Sequence, residues 1–473
     1  MAFVYERVVD RIEELVGSGG LKVGDRIPSL RRMARDTGAS LTTVIHAYHL
    51  LEDRGVIAAH PKSGFVVQPA VDVAKDDLDY DNRAAQSCLV TKAQVIKSFS
   101  KSLSEPRLQY FGCAGPHSDF LPLPQLGKIL ARQARQQPDV ALNYAFPPGL
   151  EELRRSLALQ YFRLSCPIQA KDILITNGCM EALNLSLRAV TQPGDRVLIE
   201  SPTYFNVLQT LENLGLEALC LPAHPEKGIC PEEAESLMRS GKIKACLLVP
   251  SFNNPIGCNM PPEARRALVD AAKRFAIPII EDDIYGDVFL EGERPLPLKH
   301  YDSDGWVITC GSFSKTLAPG LRTGWAISER WGTRMQEIQF MSTLAVSTLG
   351  QWGLAEMLRS GHYARHMSQF RKKLSYSLTK FLCAIEQMFP KGTRCNRPAG
   401  GLVLWIRLPE GTDTFKLYRE ALANHISFLP GPIFSPLDEF HSYIRITFAH
   451  PWTAEVETKL ARLGELASQA VST

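Results

Sequence analysis

Lys315 stands in the stretch "GSFSK", preceded by Ser312 and Ser314 and followed by Arg322. Two hydroxyls and a guanidinium form a group that a phosphate would accept. A loop lysine beside glycine and serine is ordinarily solvated, so its meaning depends on what the neighbouring strand ends supply. Asn177-Gly178-Cys179 follows the apolar run "DILIT" and opens a helical pattern, whose free N–H groups and dipole make a phosphate seat. Tyr204, in "SPTY" after "RVLIE", offers an aromatic face to a flat ring. Asn254, in "NNPIG" after "CLLVP", can donate to a phenolate oxygen. "IPIIEDD" carries Asp282, and Tyr285 follows it closely. Each feature alone is weak: NPxG is a common turn, and a strand-end aspartate often only caps a helix. Their force lies in their number and order.

The elements that must position these residues are legible in the same stretch. Runs such as "DILIT", "RVLIE", "CLLVP", "IPIIEDD" and "WVITCG" alternate with helical patterns such as "MEALNLSLRAV" and "PPEARRALVDAAKRFA". Such alternation predicts an α/β fold with a mostly parallel sheet covered by helices on both faces. Ligands in such sheets sit beyond the carboxyl ends of the strands. A smaller C-terminal α+β part follows.

The N-terminal 70 residues have a different pattern. Tyr5, Val8, Ile12 and Leu15 recur at the spacing of one helical face. In "IPSLRRMARDTG", Ser29 can cap a short helix that Gly38 closes, and Ser40 caps a second that Gly55 ends. "GVIAAH" and "GFVV" then form an extended pair, so residues 1–70 are predicted to be a winged helix-turn-helix. Residues 71–106 are polar and acidic, a linker composition, with a possible helix in "VTKAQVIKSFSKSL". Residues 107–473 make the second domain.

A chain of 473 residues exceeds one ordinary core and should divide in this way. Its 45% hydrophobic and 22% charged residues exclude wholesale disorder, and no run approaches a membrane span. The first residues lack the basic and small-residue signals of a secretory leader, and the eleven scattered cysteines suggest reduced thiols in the cytoplasm, with no zinc site. Net charge is +3 overall, and Lys22 to Lys62 alone carries seven basic residues against four acidic ones.

The first 70 residues resemble the winged DNA-binding domain of GntR-type regulators through "GDRIPSLRRMA", "ASLTTV" and "SGFVV". That resemblance implies double-stranded DNA as a partner, with the helix over 41–53 entering a major groove by its N-terminal end. Arg31 and the wing residue Lys62 would then neutralise phosphates, with Ser40, Thr42 and Thr43 at the groove. The family usually has an arginine where this chain has Leu41, which cannot donate to guanine but can touch a thymine methyl.

Residues from about 107 to 460 resemble the fold-type I aminotransferases that use pyridoxal 5'-phosphate, in the order Asp282, Tyr285, Lys315, Arg322 and Arg445 of "YIRITFA". By this resemblance Lys315 forms the Schiff base with the cofactor aldehyde, and Asp282 pairs with the pyridine nitrogen. Asn254 and Tyr285 bind the ring phenolate, and Tyr204 stacks on the ring. Gly178, Cys179, Ser312, Ser314 and Arg322 hold the phosphate, Cys179 replacing the small hydroxyl residue often found there. Arg445 grips a substrate carboxylate, and Tyr144 of "NYAFPPG" reaches the cofactor phosphate of a neighbouring subunit, which implies a homodimer. A cis peptide is expected between Asn254 and Pro255.

Together the halves resemble MocR-type transcription regulators. Three readings stay open: a regulator sensing an amino acid or amine, one sensing pyridoxal phosphate itself, and a working aminotransferase with an appended DNA-binding domain.

Overall fold

The computed structural model describes residues 4–18, 20–60, 64–68, 86–88 and 108–471. At the N-terminus, α1 (Val4–Gly17) packs on α3 (Leu41–Asp53), with α2 (Leu30–Thr37) against it. Both predicted caps form. The Ser29 and Ser40 hydroxyls accept the N–H groups of Arg32 and Thr43, and Gly38 and Gly55 close the turns with left-handed backbones. Val8, Val9, Ile12, Val44, Tyr48 and Leu51 form the small core. Leu15, expected on the same face as Val8, is instead exposed, because the buried stripe turns through Val9. The wing is an antiparallel pair, β1 (Ile57–His60) and β2 (Gly64–Val67). Lys62 and the possible helix of residues 90–103 lie outside the described residues.

The central sheet runs in the order Gln86–Cys88, Glu217–His224, Arg196–Ser201, Ala245–Leu248, Ile279–Asp282, Val307–Ser312, Gly324–Ile327, Ile173–Thr176. Five neighbours, from Glu217–His224 to Val307–Ser312, are parallel, and Gly324–Ile327 is antiparallel to both strands beside it. Most of these strands are buried on both faces, which is why their sequences read as unbroken apolar runs. The edge strand Gln86–Cys88 comes from the stretch read as linker and pairs antiparallel with Ala218–Cys220.

A smaller sheet, Arg394–Cys395, Val403–Arg407, Tyr443–Thr447 and Leu429–Pro430, carries Arg445 opposite Trp405 and Leu429. The long helix His362–Met388 runs beside both parts: Ser377 Oγ donates to the Phe448 and His450 carbonyls just after Arg445's strand, at 2.6 and 2.7 Å. The same helix meets the winged domain. Gly55, at the end of α3 with φ 70°, lies against Thr379, and a Cβ there would fall 2.5 Å from Thr379 Cγ2. Only glycine permits so close an approach at that backbone angle.

Candidate functional site

The carboxyl ends of the parallel strands converge on a cavity of about 250 Å³. Its walls bring together Cys179, Tyr204, Asn254, Asp282, Tyr285, Ser312, Ser314, Lys315 and Arg322, nine residues that the sequence singles out. Lys315 ends a 3-10 turn, Phe313–Lys315, directly after the strand Val307–Ser312. Its half-buried amine donates to the Ala114 carbonyl at 2.5 Å, and burial holds its pKa below the ordinary lysine value.

Around this lysine the polar groups are already ordered. Ser312 Oγ donates to Ser314 Oγ at 2.7 Å, and Arg322 bridges Ser314 Oγ (3.2 Å) to the Asn177 carbonyl (3.1 Å). Gly178 starts the helix Cys179–Val190 with φ 78°, and a Cβ there would run into the Arg322 guanidinium. The cup therefore stays open only with glycine at this position. The start of the helix at Cys179, the two serines and Arg322 thus line one side of the cavity with hydrogen-bond donors.

Asp282 is buried at the end of its strand, and Oδ1 accepts the Ile284 N–H at 3.1 Å and the Cys179 thiol at 3.2 Å. Burial raises this carboxyl to about 6, partly offset by those two hydrogen bonds, so it is mostly ionised at neutral pH. The Cys179 side chain thus turns toward Asp282. On the opposite wall, the Asn254 amide hydrogen-bonds the Tyr285 hydroxyl and accepts from Arg445 Nη1 at 3.3 Å. The peptide between Asn254 and Pro255 is cis, as expected. Tyr204 is fixed by Asn206, whose amide donates to the phenol oxygen at 2.7 Å.

Arg445 is almost completely buried, an unusual state for a guanidinium. It lies over the Phe434 ring and donates to the Gly112 carbonyl, while its Nε has no partner among the described residues. Arg445 does not itself line the cavity and meets its wall through Asn254, and an unfilled donor on so buried a cation is uncommon.

Several contributors escape sequence reading. Gly112 and Ala114 contribute through carbonyl oxygens, which carry no side-chain signature. Glu200 holds the Asn253 amide at 2.6 Å and the Val249 N–H at 3.0 Å, which fixes the loop bearing Asn254. Burial pushes the Glu200 carboxyl up to about 8. Arg265 ties down both ends of that loop, Pro250 and Met260, from the helix Pro262–Phe275. Tyr144, unlike the other proposed cofactor-binding side chains, does not line the cavity: it lies on the surface, 65% exposed and stacked on Phe146 with centroids 5.4 Å apart. Val140, Leu142, Phe146, Phe340 and Met341 are also exposed in these segments.

In the winged domain Arg31 is exposed on α2, and Thr42 is exposed on the first turn of α3. Ser40 and Thr43 bond each other, with their oxygens 2.7 Å apart.

Residues 91–463 match the family described as aminotransferase class I and II, and residues 4–67 match the bacterial regulatory proteins of the gntR family. The chain is 34% identical over 463 residues to the uncharacterised HTH-type transcriptional regulator YdcR of Escherichia coli, covering 98% of each. Among solved structures it is similar to a kynurenine aminotransferase of Pyrococcus horikoshii in complex with PMP, with 27% identity and a TM-score of 0.74, covering 81% of this chain and 96% of that one. It is also similar to LysN, an α-aminoadipate aminotransferase of Thermus thermophilus complexed with N-(5'-phosphopyridoxyl)-L-leucine. That pair shares 26% identity at a TM-score of 0.74, over 80% and 95% of the two chains.

Proposed function

The chain belongs to the MocR-type regulators, in which a GntR-family head is joined to a class I and II aminotransferase fold, and on that premise we propose that it is a cytoplasmic, pyridoxal-phosphate-dependent transcription regulator. Its core senses an amino acid, an amine or the cofactor itself. The observation that carries this reading is the joint presence, in one chain, of an outward-facing α3 tip and a cavity whose lysine, carboxylate and anion cup fit a phosphorylated pyridine aldehyde.

In that assignment Lys315 would hold the cofactor at its aldehyde through its amine, which burial makes easier to deprotonate. Asp282 keeps Oδ2 for the pyridine nitrogen while Cys179 and Ile284 hold Oδ1. Asn254 and Tyr285 would hold the ring phenolate, Tyr204 would stack on the ring, and Gly178, Cys179, Ser312, Ser314 and Arg322 would hold the phosphate. The bound ring supplies electron withdrawal from the carbon attached to an amine nitrogen. Arg445 offers its fork, with Nε free, to the carboxylate of an amino-acid effector. The test is binding to the gene's own upstream DNA, with and without pyridoxal phosphate and a panel of amino acids. Steady turnover of amino acid plus 2-oxo acid would instead favour an aminotransferase.

DNA contact by α2 has its own signature. Arg31→Ala should weaken binding to all duplexes alike and lower the slope of log K against log salt by about one unit per half-site. An unchanged slope in a salt titration would mean that Arg31 faces away from the phosphates.

The exposed Tyr144 surface supports a homodimer, because an aromatic and aliphatic patch on this scale is more costly to leave in water than to pair. We assign Tyr144 to the partner's phosphate cup. Mixing Tyr144→Phe chains with Lys315→Ala chains puts both lesions in one site of the mixed dimer and neither in the other. Borohydride capture at limiting cofactor should then exceed that of either parent. No gain on mixing, or a monomer in sedimentation, would rule out a shared site.

A further inference from the structure

The start of α3 presents four side chains, and two are committed to the helix itself. Ser40 Oγ accepts the Thr43 N–H at 3.1 Å and lies 2.7 Å from Thr43 Oγ1, so both hydroxyls are engaged in the cap. Thr42 is exposed, and so is Leu41, at 43%. Along the rest of the helix, Val44, Ala47, Tyr48 and Leu51 turn inward to the small core. Leu41 is the exception: a large apolar side chain at the first helical position, on the end that a winged helix-turn-helix inserts into the major groove.

The surroundings favour nucleic acid as the occupant. Lys22, Arg26, Arg31, Arg32 and Arg35 are all exposed on this domain, and such charges match a phosphate backbone. On the base edges of the major groove, the thymine 5-methyl is the one apolar group, and leucine has no donor or acceptor for any other feature. Resting on the DNA-binding reading above, we propose that Leu41 reads thymine: its side chain covers the 5-methyl of one thymine per half-site, and base selection depends on that apolar contact. The operator then needs a thymine at a fixed place in each half-site. Guanine there would leave its O6 and N7 acceptors facing a hydrocarbon.

The test uses the full-length protein with pyridoxal phosphate bound. Duplexes are first selected from a random library, and each thymine of the selected site is then replaced by deoxyuridine, which deletes the methyl and keeps every hydrogen-bonding group. One position per half-site should lose about fourfold in affinity, the effect of exposing one methyl-sized group. Leu41→Ala should weaken the thymine duplex by a similar factor at each half-site and abolish the difference between thymine and uracil. Leu41 is exposed, so circular dichroism of Leu41→Ala should match the parent. Uracil effects below twofold at every position overturn the inference, as does a fourfold effect that persists in Leu41→Ala. Failure to enrich any duplex overturns the DNA-binding reading, and the inference with it.

Discussion

Lys315→Ala should give a folded protein to which borohydride fixes no pyridoxal phosphate, a complete loss where the parent is stoichiometrically labelled. The fold survives because Lys315 contributes one hydrogen bond, to the Ala114 carbonyl, worth ~1 kcal/mol net. The label is lost because no other lysine among the described residues lines the cavity. Lys299, which is buried, is engaged by Asp302 and Glu329 and does not line the cavity. Burial lowers the Lys315 pKa, so the neutral amine that attacks an aldehyde is present at lower pH than for a free lysine; loading in the parent should rise with pH and level off below the ordinary lysine value. Peptide mapping of the reduced adduct checks the assignment. A label on any other lysine, or an undiminished label in Lys315→Ala, would dismantle the whole cup.

Arg265→Ala should destabilise the core by ~3 to 4 kcal/mol, large for a single residue outside the cavity. Its guanidinium is 2% exposed and donates to the Met260, Leu296 and Pro250 carbonyls, to Ser251 Oγ and to Asn259 Oδ1, at 2.7 to 3.1 Å. Truncation strands those buried acceptors, and each unpaired acceptor costs ~1 to 3 kcal/mol, less than additively after relaxation. Two of the acceptors, Pro250 and Met260, begin and end the loop that carries Asn254. Cofactor affinity should therefore fall with the urea midpoint. Arg265→Lys should not restore either, since an ammonium cannot reach partners spread around a planar fork. A urea midpoint equivalent to less than ~1 kcal/mol of loss would show that the loop holds itself.

The contrast between these two residues explains what a sequence discloses. Lys315 was legible because its neighbours, two serines and an arginine, form a local pattern at a strand end, and parallel strands always deliver such ends to one edge of the sheet. Capping residues were legible for the same local reason: Ser29 and Ser40 act within their own first turn. Arg265 sits beside Arg266 in a helix that reads as amphipathic, and only the tertiary fold makes the first buried and the second not. The short strand Gln86–Cys88 lacks an apolar run because it is an edge, and its pairing is supplied by Glu217–His224. Gly112 and Ala114 act through backbone carbonyls that any sequence would possess. Cys179 stands where a small hydroxyl residue is often found, and the bond of its thiol to Asp282 depends on a rotamer that no linear pattern specifies.

The contact between Gly55 and Thr379 makes α3 a lever with its fulcrum at one end and its working tip at the other. Thirteen helical residues span ~20 Å at 1.5 Å each. A tilt of about 10° at the fulcrum would sweep the tip through about 3.4 Å, one nucleotide step along a DNA strand. Because α3 is packed into the core of the head, the whole winged domain would turn with it, and a small rotation about this contact is enough to take the tip from one base pair to the next.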